Sequence, residues 1–413
     1  MINTKNIIGK GRVLFVFFLI FSIHIGAFLM IKENGLMMDE VYHYRQIIRF
    51  MGGDFRVDPE LPMMPGYHLI LAGTANLGHI KGKTYFELIP WIRFLTFGIS
   101  MISIVVFYMI AKSGDKASAL VKTMQYSFFP LIFPFFPLIY TDMISLLVLL
   151  IAYWAVMKRH YSLSAIIGII SILLRQNNLF WLFFLNLYIY VRENGYKLST
   201  KRIIKHIKDT VVFILGPVVF GVFLILNGRL AMGNQTHVFL TLVHPNNIMV
   251  ILFIFFLIFW PLSFFQAKDI LNLIIKKKLW VMITVFFSLL GAMVFHNTHP
   301  FNQGWFFLHN WLAIYLASSY GTRTVLFIIM VLSVMTLFAI KLRERADYIL
   351  YPFSIFFLWP LWFIEQRYYI IPFILFILFR RSFDRRIEYT LVIYFLIVSL
   401  YIYNGILYFK FFP

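Results

Sequence analysis

The sequence predicts an all-α, polytopic membrane protein, and three observations carry that reading. Of the 413 residues, 61% are hydrophobic and 20% aromatic, with 49 Phe, while only 13% are charged. That is too apolar for a soluble domain of this length. The apolar residues fall in long uniform runs, and a bilayer admits only helices of about 20 residues or closed barrels. Runs of this kind are helices, not barrel strands. Finally, the net charge of +20 comes from short basic clusters between the runs, which is the pattern of positive-inside retention rather than of nucleic-acid binding.

The first run, Val13 to Ile31, follows Lys5, Lys10 and Arg12, which place the N-terminus in the cytosol. It is too long for a signal-peptide core and has no small-residue cleavage site near its end, so it is expected to remain as a span. Further apolar segments lie near 63–80, 88–111, 119–138, 139–157, 162–174, 178–191, 209–226, 247–265, 280–295, 306–319, 322–340, 346–363, 368–379 and 387–409. Basic clusters at Lys158 to His160, Arg192 to Lys208, Lys268 to Lys278, Lys341 to Arg345 and Arg380 to Arg386 are expected on the cytosolic side. Lys158 and Lys341 cannot both be cytosolic if every segment crosses. Phe306 to Ser319, and one segment between Pro62 and Tyr140, are therefore expected to lie at the interface or re-enter, which leaves 11 to 14 crossings. No internal repeat or separate soluble domain is visible, so 1–413 reads as one transmembrane domain.

On this topology the polar loops that lack basic clusters fall on the external side: Lys32 to Leu61, Arg175 to Asn178, Asn227 to Asn247, Phe295 to Trp305 and Glu365 to Tyr368. Polar groups at a membrane usually face a cavity or a site, so one external site built from several loops is the economical reading. Its centre is Met37-Met38-Asp39-Glu40-Val41-Tyr42-His43-Tyr44. If Asp39 opens a helical turn, Tyr42 and His43 share its face and Glu40 points elsewhere. Asp39 and Glu40 equally suit an N-terminal cap without chemistry, and Arg175 at a span end can simply snorkel. His237 and His244, seven residues apart, lack the spacing of a usual metal pair; adding His296 and His299 gives at best a weak zinc set. Asn234-Gln235-Thr236 fits a glycosylation acceptor.

The chain has no cysteine, which excludes disulfides and thiolate chemistry. It has neither a GxxxxGK[ST] loop nor a GxGxxG turn after a strand. A transferred group would then arrive on another carrier, and outside the cytosol a lipid phosphate is the natural one.

Several segments together resemble the dolichyl-phosphate-glucose-dependent α-1,2-glucosyltransferase family, which adds the last glucose to the lipid-linked N-glycan precursor. They are Met38 to His43, Asp58-Pro59 with Leu61 to Tyr67, Leu138 to Asp142, Leu174 to Asn178, Asn227-Gly228 with Gly233-Asn234 and Thr236 to Val238, His299-Pro300-Phe301, and Glu365 to Pro372. The chain departs from the family at Asn234-Gln235, Gln366, Asn177 and Asn302 to Trp305, in loops suited to touch sugar or phosphate.

The resemblance implies a GT-C membrane fold and an inverting glycosyltransferase. It would move glucose or a related hexose from a polyprenyl phosphate to a lipid-linked oligosaccharide on the non-cytosolic face. The membrane would be that of the endoplasmic reticulum in a eukaryote and the plasma membrane in a bacterium. Inversion needs one base to take the acceptor proton; Asp39 is the first candidate, with Glu40 the second or a supporting group. His43 would orient the base or meet the acceptor. Arg367 and Arg175 suit the leaving phosphate because a guanidinium fork holds two oxygens, with His237, His244 and His299 as further donors. Tyr67, Gln176, Asn177, Glu365 and Tyr368 complete the expected substrate contacts. No metal or other cofactor is needed for this chemistry. The rival reading is a transporter or flippase for a lipid or sugar, which would favour inverted repeats with broken helices; a non-catalytic scaffold is a third.

Overall fold

The computed structural model describes residues 4–82, 84–233 and 244–413. Among these the chain is helical and forms no strand; two isolated bridges join Phe307 to Phe412 and Leu342 to Arg380. Two compact units result. The first holds α1 (Thr4–Ile31), α2 (Glu40–Met51), α3 (Gly66–Leu77), α4 (Ile89–Gly114), α5 (Ala119–Ser127), α6 (Thr141–Met157), α7 (Tyr161–Leu174), α8 (Asn178–Asn194), α9 (Thr200–Asp209) and α10 (Leu215–Asn227). The second holds α11 (Asn246–Phe265), α12 (Ala267–Lys276), α13 (Lys278–Val294), α14 (Leu308–Ala317), α15 (Tyr320–Ala339), α16 (Leu350–Leu358), α17 (Ile370–Phe379) and α18 (Arg385–Leu407), together with Phe129–Leu131.

Among the described residues, five stretches are long and apolar enough to cross a membrane: Gly11–Ile31, Phe86–Gly114, Asn246–Phe265, Tyr320–Ala339 and Arg385–Leu407. A sixth arises if α9 and Val211–Asn227, bent by 77°, count as one span. Shorter apolar helices are Thr141–Met157, Tyr161–Leu174, Lys278–Val294, Ala346–Leu358 and Gln366–Phe379. The protein is thus an all-helical polytopic membrane protein. The expected 11 to 14 crossings exceed these five or six spans, and the number would be met only if the short helices crossed as well. At a 1.5 Å rise per residue, a helix of 14 residues covers about 21 Å of a hydrocarbon layer about 30 Å thick.

The apolar run 119–138 is not one helix. α5 ends at Ser127, and Pro130, Pro134 and Pro137 remove backbone donors from the segment beyond it, leaving a short 3₁₀ turn at Phe133–Phe135 in a buried, irregular run. Such backbone is tolerated only where protein groups satisfy it. Part of this run, Phe129, packs its ring on Phe259, Phe373 and Phe395, with centroids 6.1, 5.9 and 5.5 Å apart, which explains why it groups with the second unit.

Three helices form where polar loops were expected: α2, α9 and α12. α2 lays Tyr44, Ile47 and Phe50 against Tyr67, Leu71 and Ala75 of α3, over Ile92 of α4 and Leu174 of α7. Gly66 opens α3 so close to the end of α7 that a Cβ there would stand 2.5 Å from the Leu173 carbonyl oxygen. In the second unit, Arg380 is not a solvated basic residue. Both arms of its guanidinium donate to Glu388 at 2.7 Å, with both residues buried.

Candidate functional site

The turn before α2 is held by a positive-φ residue and by hydrogen bonds with distant segments. Asp39 is the N-cap of α2, and its carbonyl accepts from the backbone of Tyr42 and His43 at 3.1 Å each, the helical opening the sequence suggested. Met38 before it adopts φ +48°, a left-handed conformation that a side chain rarely takes. The Asp39 amide donates to the Tyr140 hydroxyl at 3.1 Å, and the residue, half-buried, makes no side-chain capping hydrogen bond.

Glu40 points the other way, as expected, into a fully buried site. Arg93 of α4 donates from Nε to Oε1 at 3.0 Å and from Nη2 to Oε2 at 2.5 Å. Two backbone amides complete the set: Met37 to Oε2 and Ile139 to Oε1, each at 2.8 Å. Four donors engage both oxygens, so this carboxylate is occupied in holding structure together. The rest of Arg93 binds the carbonyls of Ile31 and Asn34 at 2.7 Å and of Gly35 at 3.0 Å. One guanidinium thereby ties the end of α1, the following loop and the start of α2 to α4, while Glu40 serves the Pro-rich run through Ile139.

Beneath the turn, the His43 Nδ1 meets His68 Nε2 at 2.9 Å, both rings buried. His43 also lies edge-on to Tyr67 and Tyr140, with centroids 5.8 and 5.7 Å away. Burial, and then the neighbouring His43, push the His68 pKa well below its ordinary 6.5. Tyr67 is buried and its hydroxyl lies 3.3 Å from Thr96 Oγ1, so it packs the site from below rather than opening into it.

The loop between α7 and α8 supplies the other residues expected here. Arg175 pairs with Asp142 at the first turn of α6 and keeps a partly exposed guanidinium. Gln176 is a clamp: Nε2 donates to the Pro62 carbonyl at 2.7 Å and Oε1 accepts from the Met64 amide at 3.3 Å. Asn177 is the N-cap of α8 without a side-chain capping bond, and Asn178 is bound to Ser145 and the Ser171 carbonyl at 2.7 and 2.9 Å.

In the second unit, His244 and His299 pack on Trp362 and Phe363, and Glu365, Arg367 and Tyr368 follow directly in sequence. His244 stacks on Trp362 with centroids 5.8 Å apart, and partial burial lowers its pKa. His299 caps the turn Pro300–Gln303 through Nδ1, which accepts from the Phe301 amide at 3.2 Å, and its ring abuts Trp362 and Phe363 at 4.7 and 4.9 Å. Glu365 caps the turn at Gln366–Tyr369 and accepts from Arg367 Nη2 at 3.2 Å. Burial pushes the Glu365 carboxyl up, but the Arg367 guanidinium and His309 together hold it below the ordinary carboxylate range. Tyr368 is half-buried beside Phe357, while Tyr369 donates to Asn247 at 2.7 Å. His237 and the acceptor triplet at Asn234 lie outside the described residues.

Among the described residues, no group of three or more His, Asp or Glu could hold a metal ion, the combination of His296 and His299 with His244 included. The sequence reading gave no role to Arg93 or His68 and named Tyr140 and Asn302 only within longer segments; the Asn302 amide bridges Asn310 and Ile364 at 2.9 and 2.7 Å. Arg93 and His68 carried a signal, as ionisable groups inside the apolar runs 88–111 and 63–80.

Residues 33–201 match the model of the DIE2/ALG10 family. Three similar curated proteins are each named Dol-P-Glc:Glc(2)Man(9)GlcNAc(2)-PP-Dol alpha-1,2-glucosyltransferase. The Arabidopsis thaliana protein is 30% identical over 36% of this chain and 32% of its own length. The Drosophila melanogaster protein is 29% identical over 37% and 34%, and a Homo sapiens protein 25% identical over 36% and 34%. The chain spans about a third of the length of these relatives. No solved structure matches. The matched stretch contains Asp39, Glu40, His43, Tyr67, Arg175, Gln176 and Asn177, and over it the chain is similar to the DIE2/ALG10 family.

Proposed function

We propose that the protein is an inverting hexosyltransferase of GT-C type. It takes glucose or a related hexose from a polyprenyl or dolichyl phosphate and places it on a lipid-linked oligosaccharide at the non-cytosolic face. That face is the lumen of the endoplasmic reticulum in a eukaryotic host. The observation that carries the reading is the division of labour between adjacent carboxylates within the matched segment. Glu40 is fully buried and consumed by Arg93 and two amides, whereas Asp39 is a half-buried residue at the N-cap of the same helix, outside that ion pair.

In this mechanism the Asp39 carboxylate takes the proton of the acceptor hydroxyl. The hydroxyl oxygen bonds to the anomeric carbon as the carbon–phosphate oxygen bond breaks on the opposite face, and the lipid phosphate leaves with the electron pair. Guanidinium groups at the leaving oxygens stabilise the developing charge. Arg175 takes that role, with Asp142 orienting it, and Gln176 and Asn177 shape the surrounding loop. His43 and Tyr67 support the turn from below. In the second unit Arg367, His244, His299, Glu365 and Tyr368 are assigned to substrate contacts, with His237 as a further donor. That both units serve one activity belongs to the proposal.

The test is transfer of radiolabelled glucose from polyprenyl-phosphate-glucose to a lipid-linked oligosaccharide by the purified protein with EDTA present. Transfer by the wild type that is lost in folded Asp39→Asn supports the reading. Undiminished transfer by Asp39→Asn overturns the assignment of the base, and failure with every lipid-linked hexose overturns the activity.

A further inference from the structure

Among the described residues of the first unit, α9 is the strongly basic helix, and its three faces are distinct. Arg202 and His206, one turn apart, dock it on the fold: Arg202 Nη1 donates to the Asn194 carbonyl at 3.1 Å, His206 Nε2 lies 3.1 Å from Asn186 Oδ1, and the His206 ring packs edge-on to Tyr190 of α8. These two are half-buried, while the rest of Thr200–Asp209 is exposed. The docking decides where the others point. Ile203, Ile204 and Ile207, at spacings of three and four, form an apolar stripe that is 40, 49 and 50% exposed. Lys201, Lys205 and Lys208, at spacings of four and three, form a basic stripe beside it.

The next helix supplies the orientation. Val211–Asn227 is apolar and qualifies with α9 as a span only across a 77° bend. If the apolar partner runs along the bilayer normal, a helix turned by this angle lies nearly in the bilayer plane. Isoleucines on one side and lysines on the other are what such a position needs, because apolar area enters the acyl boundary while cations meet head-group phosphates. We propose that α9 is an interfacial anchor that seats Ile203, Ile204 and Ile207 in the acyl boundary and binds anionic phospholipid head groups through Lys201, Lys205 and Lys208. The occupant is a lipid surface because the two stripes answer its two layers, whereas a protein groove would call for the apolar stripe alone. α12 in the second unit repeats the arrangement: Ile270 is buried, and Leu271, Ile274 and Ile275 are exposed beside Lys268 and Lys276.

The absence of cysteine makes the test direct. Ile207→Cys and Lys205→Cys, each labelled with an environment-sensitive nitrobenzoxadiazole, are placed in nanodiscs of phosphatidylcholine with about 30 mol% phosphatidylserine. Iodide in the water should quench the label at 207 at least about three-fold less than that at 205. Equal quenching overturns the proposal, also if the stripe is protected in native membranes, since a protein partner would then be its occupant. Lipid retained by the purified full chain should be enriched in phosphatidylserine over the bulk mixture. The enrichment should be lost in K201Q/K205Q/K208Q and persist in excess inorganic phosphate. Absence of enrichment, its persistence in the triple variant, or its displacement by phosphate overturns the head-group assignment.

Discussion

Arg93 of α4 grips Glu40 at the start of α2 through two parallel hydrogen bonds of 3.0 and 2.5 Å, with neither side chain exposed to solvent. The neighbouring Asp39 is thereby held at a turn that this ion pair fixes. Removing one partner of such a pair leaves a buried charge uncompensated, which typically costs about 3–5 kcal/mol. Arg93→Ala and Glu40→Gln are each expected to lower the thermal midpoint in detergent markedly. Asp39→Asn is expected to leave the stability within about 0.5 kcal/mol of wild type, as for a partly exposed residue outside the buried ion pair.

Asp39→Asn is expected to reduce glucosyl transfer by about 10² to 10⁴, the usual contribution of a general base. Single-turnover transfer with saturating donor and acceptor measures it. A loss confined to KM with unchanged kcat would place Asp39 in binding rather than in proton transfer.

Arg175→Lys is expected to raise the KM for the lipid-phosphate donor while the fold persists, because an ammonium replaces a fork with a point charge. Asp142→Asn should act in the same direction through its partner Arg175. Steady-state kinetics at fixed acceptor concentration check both.

The His43 and His68 pair makes stability depend on pH in a defined sense. His68 is held neutral in the folded protein, its pKa lowered chiefly by burial from the ordinary 6.5. Below that value the unfolded chain takes up a proton that the folded chain refuses, so stability is full above about pH 6.5 and declines as the pH falls beneath it. Thermal unfolding between about pH 8 and pH 5 should show this decline, and His68→Phe should flatten it.

Gly66→Ala is expected to destabilise the first unit. The added Cβ would stand 2.5 Å from the Leu173 carbonyl oxygen, and that backbone cannot yield without separating α3 from α7. A cost of about 1–3 kcal/mol is usual for overpacking of this kind, read from the unfolding midpoint.

The membrane class, most helices and the helical opening at Asp39 were legible in the linear chain, because hydropathy and helical spacing are properties of neighbours in sequence. Runs such as 322–340 and 387–409 return as α15 (Tyr320–Ala339) and α18 (Arg385–Leu407) with ends shifted by two residues at most. α2, α9 and α12 were hidden because their polar residues read as loop. The run 119–138 misled for the converse reason, since three prolines break an apolar segment without lowering its hydropathy.

Which of the two carboxylates is sequestered in a buried ion pair was not legible at all. Asp39 and Glu40 are adjacent and chemically alike, and their spacing says only that they point apart. What separates them is Arg93, 53 positions from Glu40, and the Ile139 amide, 99 positions away. Composition and periodicity decided that the chain crosses a membrane and carries its polar loops between spans. Only folding decided which acidic group those loops neutralise, because burying a carboxylate requires donors that distant segments alone can bring.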